Sequence, residues 1–246
     1  MYNARKGVEN MKQIVLNVQK EYTCDVVVCG GGVSGFAAAV AAARTGADTI
    51  LIESGGFLGG TATKGLVGPF MTCYDAKGQR QIIQGLFSEL VDRLILEKGA
   101  RSHRECRGGD AFSAYRTVGH FGVTPFDAET LKRVTEKMCL EAGVRLLYHT
   151  TVIGCEKTGN ALTHVYAAAP DQILSVSANM FIDTTGSATL AEKAGAQTMR
   201  GNGDGILQTA STFFIISGVD KKVLDAHMNA NPQMRERMER WCSILF

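Results

Sequence analysis

Proline is scarce, with 4 residues in 246, while glycine is abundant at 28. The glycines gather in short loops, which excludes a low-complexity linker and suggests backbone packed closely against a ligand. A dominant sign of charge is also missing. Lys and Arg total 26 against 24 Asp and Glu, and no basic run stands out. Nucleic acid is therefore not an expected partner. None of the seven cysteines forms a C-x-x-C pair, and no spacing suits a zinc or iron–sulfur framework. No apolar stretch has the length or flanks of a membrane span, and the N-terminus lacks the basic-then-apolar layout of a signal peptide. The expectation is a soluble, cytoplasmic chain with no membrane partner, its thiols reduced and mostly buried. No internal repeat, Ser-His-Asp set or metal constellation is visible.

Hydrophobic patterning is what the chain does have. Residues 1–22 are polar, with a short alternation at Ile14, Leu16 and Val18. They read as a leader or as an edge strand feeding the first core strand. Two starts are open, Met1 and Met11, because Lys6-Gly7-Val8 can be encoded by a sequence resembling a bacterial ribosome-binding site. Cys24 to Cys29, centred on three valines, has the continuous apolar run of a buried parallel strand. An alanine-rich helix follows over Val33 to Thr45, with Gly46 suited to stop it. Thr49 to Glu53 reads as a second strand. Apolar residues at 83, 86, 87, 90, 91 and 94 predict a helix from Ile82 to Lys98. Asp127 suits the N-cap of a helix to about Ala142, closed by Gly143. Val144 to Tyr148 is strand-like. Thr151–Glu156, Leu162–Ala169 and Ile173–Ala178 form a predicted meander, and Met180–Asp183 a separate short strand.

The chemistry lies in Gly30-x-Gly32-x-x-Gly35. It directly follows a strand, opens a helix, and has an acidic residue, Glu53, eighteen positions after Gly35 at the end of the next strand. That is close to the roughly 20 of a dinucleotide-binding βαβ unit. Gly30 permits the tight turn, Gly32 lets backbone approach a pyrophosphate, and Gly35 lets the helix lie on the strand. The helix N-terminus offers free N–H groups to phosphate. Glu53 can accept both ribose hydroxyls, and it would repel a 2′-phosphate, which disfavours NADP.

The run from Asp25 through Gly35, then Leu51-Ile-Glu53 and Gly59-Gly60-Thr61, resembles the glutathione-reductase-like flavoprotein superfamily of FAD-dependent oxidoreductases. Within it the chain is similar to relatives of the heterodisulfide reductase flavoprotein component. Pro125 to Lys132 resembles that group's helix before the meander, and Phe181 to Ala191 its return to the flavin. The resemblance implies an α/β fold: an FAD/NAD(P)-binding Rossmann-like three-layer domain with a β-meander. It implies FAD as cofactor and flavin-mediated hydride or electron transfer with a small-molecule substrate that the sequence does not name. By resemblance, Gly30, Gly32, Val33, Ser34 and Gly35 meet the pyrophosphate and Glu53 the ribose. Gly60 and Thr61 lie near the ribityl and pyrophosphate, Val152 meets adenine through its backbone, and Gly186 approaches from the other side. Ser187 departs from the Asp often found there. Some relatives carry iron–sulfur clusters, but no ligand spacing for one occurs in this chain.

On the same grounds residues 1–22 are a leader and 23–215 the FAD-binding domain, with a helical insertion near 62–125. Residues 216–246 begin an incomplete substrate domain. The resemblance leads one to expect over a hundred further residues. Two alternatives therefore stand beside an active flavoenzyme: a non-catalytic fragment, or one half of a split enzyme completed by a second polypeptide or by self-association. A third is an NAD-binding protein. A second glycine fingerprint is absent, because Gly201-x-Gly203-x-Gly205 has the wrong spacing. Cys73, His103, Arg116, His120 and Arg200 have no assigned role and read first as packed or surface residues.

Overall fold

Three consecutive valines, 26 to 28, are almost completely withdrawn from solvent and sit at the centre of the fold. In the computed structural model, which describes residues 15–105, 122–210, 212 and 217–233, they belong to β1 (Lys20–Cys29). The remaining elements are α1 (Val33–Arg44), β2 (Thr49–Ile52), a 3-10 turn (Gly60–Ala62), α2 (Leu86–Leu96), α3 (Ala128–Glu141) and β3 (Arg145–Leu147). These are followed by β4 (Thr151–Thr158), β5 (Ala161–Ala168), β6 (Ile173–Asp183), α4 (Thr189–Lys193) and α5 (Lys221–Ala230). The sheet order is β3-β2-β1-β6-β5-β4. β3, β2, β1 and β6 are mutually parallel, and β4, β5 and β6 form the antiparallel meander.

Alternation along the strands divides the core into two layers. Val26, Val28 and Leu51 face α1, α2 and α3, packing with Phe36, Leu94, Leu131 and Met138. Val27, Cys29, Ile50 and Ile52 point the other way, into a cluster with Val152, Val165 and Ala167 of the meander. A flat sheet would hold β2 and β4 four strand positions apart. Their shared cluster means that the meander curls back over the face opposite the helices. The arrangement has three layers: helices, parallel sheet and meander.

Local chemistry fixes the boundaries. α1 is rich in alanine, which lets it lie close to the strands, and it ends where Gly46 takes φ +94°. α2 is shorter than its periodicity predicts, so the expected span from Ile82 is corrected. Gly85 precedes the helix at φ 65°, ψ −126°, a conformation open to glycine but not to a helix interior. Ile82 and Ile83 instead donate their backbone N–H groups to the Cys73 carbonyl and leave their side chains exposed. β6 is likewise one continuous strand, not the two expected. The polar Asn179 interrupts the hydrophobic pattern, but pairing with β1 continues on both sides of it, Cys24 with Ala178 and Val26 with Met180. The lower half of β6 also holds β1 out to Lys20, so Lys20–Tyr22 belong to the sheet. Salt bridges run across the helices from Arg44 to Glu89, Arg93 and Glu141. Such surface pairs are each worth under about 1 kcal/mol, so apolar packing and not charge holds the helical layer.

Asp127 caps α3 as expected. Its carboxylate accepts from the Thr130 backbone N–H and hydroxyl, both at 2.7 Å. Those donors hold the Asp127 carboxyl below its usual range. Asp127→Ala is expected to cost about 1 kcal/mol. Because the folded-state carboxyl is depressed, the contribution is complete above the ordinary carboxylate pKa of about 4 and is lost as pH falls through the lower folded value. Urea unfolding of parent and variant at neutral and acid pH measures this: the gap narrows in acid, and a pH-independent gap would contradict it.

Candidate functional site

The carboxyl ends of β1 and β2, the start of α1, the 3-10 turn and the loop after β6 surround one cleft of about 500 Å³. That volume falls within the range of small-molecule sites. The cleft stands where the strand order departs to either side of β1, the position at which open α/β sheets bind ligands.

The three fingerprint glycines do different things. Gly30 leaves β1 at φ +106°, and a Cβ there would lie 2.4 Å from the Thr184 carbonyl oxygen. Gly35 does not line the cleft. It is buried beneath it, and a Cβ there would lie 1.7 Å from the Gly30 oxygen and 2.7 Å from Thr184 Oγ1. This is the packing position read from the spacing, and it sets how near α1 comes to the strand ends; the place against a pyrophosphate implied by the resemblance is corrected, because Gly35 is not in the cleft lining. Gly32 is the opposite case. A Cβ built there would find only Gly60 Cα, at 3.9 Å, and otherwise points into open space. Gly32 is also the N-cap of α1, and no side chain caps the helix. The first-turn N–H groups, with the positive end of the helix dipole, thus face the cleft beside Val33 and Ser34.

Glu53 stands just past β2. Its Oε2 accepts from Gly31 N and its Oε1 from Gly55 N, each at 2.6 Å, with Ser54 Oγ at 3.2 Å. Two backbone donors hold the carboxylate in place and leave lone pairs on both oxygens. Gly60 crosses close over Gly32, with its backbone at φ +52°. Thr61 lines the cleft from that turn, Val152 from β4, and Gly186 from the loop after β6. Nine of the ten sequence-derived positions therefore line one cavity, Gly35 being the exception.

Several lining residues went unselected on sequence. Thr184 Oγ1 donates to the Gly30 carbonyl at 2.7 Å and lies 3.0 Å from that of Cys29, so it ties the β6 loop to the fingerprint turn. Thr185 is held by Asp183, whose Oδ1 accepts from its N–H and hydroxyl at 2.9 and 2.8 Å. Burial pushes the Asp183 carboxyl up, but hydrogen bonds from Thr185 and Ala191 outweigh it and keep the carboxyl below its usual range. Thr150, Thr151 and Lys64 add to the polar lining, with Ser54, Ser187 and Thr189. The available signal was position: Thr184 and Thr185 precede Gly186, and Lys64 follows Thr61 by one turn.

The unassigned residues fall elsewhere. Cys73 is buried, and burial pushes its thiol up. Burial likewise raises the Cys24 thiol to about 11 and the Cys29 and Cys139 thiols to about 12. These are protonated packing groups at neutral pH. His103 is 4% exposed, sits against the rings of Tyr74 and Phe87, and does not line the cleft. Arg200 and the Gly201–Gly205 loop are exposed and do not line the cleft. Arg116, His120, Cys106 and Cys242 lie outside the described residues. Among the described residues no group of His, Cys, Asp and Glu is arranged to hold a metal ion, and no helix is long and apolar enough to cross a membrane.

A bare-Cα approach at an uncapped helix N-terminus, with a fixed carboxylate one strand away, suits a dinucleotide. Fold and site together define a dinucleotide-binding α/β domain. The chain belongs to the FAD dependent oxidoreductase family, whose sequence profile matches residues 25–243, and FAD is accordingly its cofactor. No functionally curated protein matches the sequence. Three of the solved structures that the chain is similar to are as follows. A geranylgeranyl bacteriochlorophyll reductase-like protein from Thermoplasma acidophilum is 20% identical, with a TM-score of 0.48 over 72% of this chain and 43% of that one. Thermovibrio ammonificans THI4 is 18% identical, with a TM-score of 0.46 over 71% and 64%. L-proline dehydrogenase from P. horikoshii is 15% identical, with a TM-score of 0.48 over 74% and 58%. The chain thus spans less than two thirds of the length of each.

Proposed function

We propose that the cleft holds FAD with its diphosphate over the N-terminus of α1 and its adenosine ribose against Glu53, and that the chain acts as an oxidoreductase on a small-molecule substrate. The observation that carries this reading is Gly32: its open Cα faces the cleft where a helix begins with no side-chain cap. When bound, FAD supplies the hydride and electron transfer chemistry. The protein's own groups bind and orient. Backbone N–H groups at Val33 and Ser34 are placed to meet phosphate oxygens, Glu53 accepts from ribose hydroxyls, and the Thr184–Gly30 bond keeps the two walls of the cleft in register. Val152 presents backbone to the adenine, Gly60 and Thr61 flank the ribityl chain, and Gly186 closes the opposite side. Within the family, the sequence likeness to relatives of the heterodisulfide reductase flavoprotein component supports placing the chain near that group. The four buried free cysteines among the described residues support a reducing, cytoplasmic setting.

The absorbance spectrum of the purified protein tests the reading. Flavin bands that stay with the protein through gel filtration are expected. A colourless protein that binds NAD but not added FAD would overturn it.

Glu53→Ala is expected to weaken FAD binding by about 1–3 kcal/mol, the scale of hydrogen bonds to a charged group. The loss combines the ribose bonds with the loosening of Gly31 and Gly55, which Glu53 also holds. Calorimetric titration of FAD into apoprotein measures it, and an alanine variant binding as tightly as the parent would remove Glu53 from the site.

A further inference from the structure

Of the charged side chains that line the cleft, Glu53 is the anion and Lys64 the cation. The two sit on different walls, Glu53 beyond β2 and Lys64 in the loop leaving the 3-10 turn. That loop is tightly wound. The Thr63 and Gly65 N–H groups both donate to the Gly60 carbonyl, at 3.1 Å each, and Gly60 packs on Gly32. Thr61 and Lys64, three residues apart, thereby come to the same side of the loop and both face the cleft. Lys64 is exposed and makes no hydrogen bond or ion pair with the described residues. Its ammonium is thus not engaged within the described fold.

Charge accounting gives this lysine a purpose. A dinucleotide diphosphate carries about two negative charges, while a helix N-terminus offers the equivalent of about half a positive charge. Glu53 adds a further negative charge to the same cavity. The helix alone therefore leaves the diphosphate substantially uncompensated. A lysine ammonium is a mobile point charge on a four-carbon stem, suited to phosphate oxygens whose position the backbone has already fixed. We propose that Lys64 is the cation that pairs with the diphosphate of the bound dinucleotide, reaching it from the loop that leaves the 3-10 turn. This rests on the cleft being the FAD site. It adds an electrostatic clamp that the glycine fingerprint does not contain.

The test uses Lys64→Gln and Lys64→Arg in the full chain, with FAD, ADP and adenosine as probes. Binding is followed by calorimetry at low and high salt, and circular dichroism melting confirms that folding is unchanged. For Lys64→Gln, FAD and ADP affinity are expected to fall together by about tenfold at low salt, the scale of one charge-assisted contact partly screened by solvent. Adenosine, which has no phosphate, should bind both proteins alike. The parent's advantage should shrink at high salt, and Lys64→Arg should recover most of the affinity. An ADP affinity unchanged by Lys64→Gln overturns the proposal, whether or not FAD affinity falls. A loss limited to FAD would move Lys64 to the flavin ring. A parent protein that binds neither FAD nor ADP sinks the assignment of the cleft itself, a result distinct from a lysine that makes no difference.

Discussion

Gly35→Ala is expected to destabilise the domain by about 3 kcal/mol, the upper end of the usual cost of overpacking. Two effects oppose each other at this position. Alanine favours a helix over glycine by about 1 kcal/mol, and Gly35 lies in the first turn of α1. Against that, its Cβ would sit 1.7 Å from the Gly30 carbonyl oxygen, roughly half of an ordinary contact distance of about 3.5 Å. Neither partner can yield cheaply. The Gly30 oxygen accepts from Thr184 Oγ1 at 2.7 Å, and the Gly30 N–H donates to the Ile52 carbonyl at 2.8 Å. The helix must move off the sheet instead, and Phe36, Ala39 and Val40 lose packing with it. Steric exclusion therefore wins over propensity. Thermal melting should show a fall of about 6–12 °C for a domain of this size. A variant melting within about 2 °C of the parent would show that α1 has slack against the strand ends.

The distinction between Gly35 and Gly32 marks how far the sequence reaches. Spacing identifies the βαβ unit because turn, helix start and acidic residue must recur at fixed offsets along the chain, and the described structure places them accordingly. Spacing already gives Gly32 the ligand side and Gly35 the packing side, but it does not say that Gly35 also packs against a distant segment. That depends on where the Thr184 segment lies, and it lies about 150 residues further along the chain. The same holds for the strands. The valine run of β1 and the meander were legible from local pattern. The unbroken course of β6 was not, because Asn179 reads as a break while the backbone pairing that carries the strand past it is made with β1. The start of α2 was hidden for a local reason: Ile83 keeps the apolar period, but the backbone turns at Gly85.

For the site, sequence reasoning found residues defined by backbone need, namely glycines and the carboxylate after β2. Of the residues that reach the cleft only through tertiary closure, the resemblance supplied Val152 and Gly186 and the threonines beside them were missed. Thr150 and Thr151 arrive there because β4 curls over the sheet, and Thr184 and Thr185 because β6 ends beside β1. Polar, β-branched threonines carry no positional signature of their own. Their role becomes visible through bonds such as that from Thr184 to Gly30 and those from Thr185 to Asp183.

Gly32→Val should do the reverse of Gly35→Ala: the domain keeps its fold and loses its dinucleotide. Gly32 sits at φ −65°, ψ −176°, extended backbone that a β-branched residue adopts without strain. Its Cβ would have no protein atom nearer than Gly60 Cα at 3.9 Å, which is ordinary contact. The substitution gives up only a modest N-cap preference, since glycine is favoured over valine there. The two methyls, however, extend into the cleft at the mouth of α1, where the first-turn N–H groups are open. A diphosphate could then no longer approach the backbone closely enough to accept from them. Such a block removes several charge-assisted hydrogen bonds at once, each worth about 1.5–3 kcal/mol, so FAD affinity should fall by more than about 100-fold. Parallel melting and FAD titration separate the two properties: near-parental unfolding with undetectable binding is the expected pair. Unchanged FAD affinity in the folded variant would place the diphosphate elsewhere. A variant that fails to fold would show that the space beside Gly32 is occupied by protein, so that its missing Cβ serves packing, as at Gly35, and not a ligand.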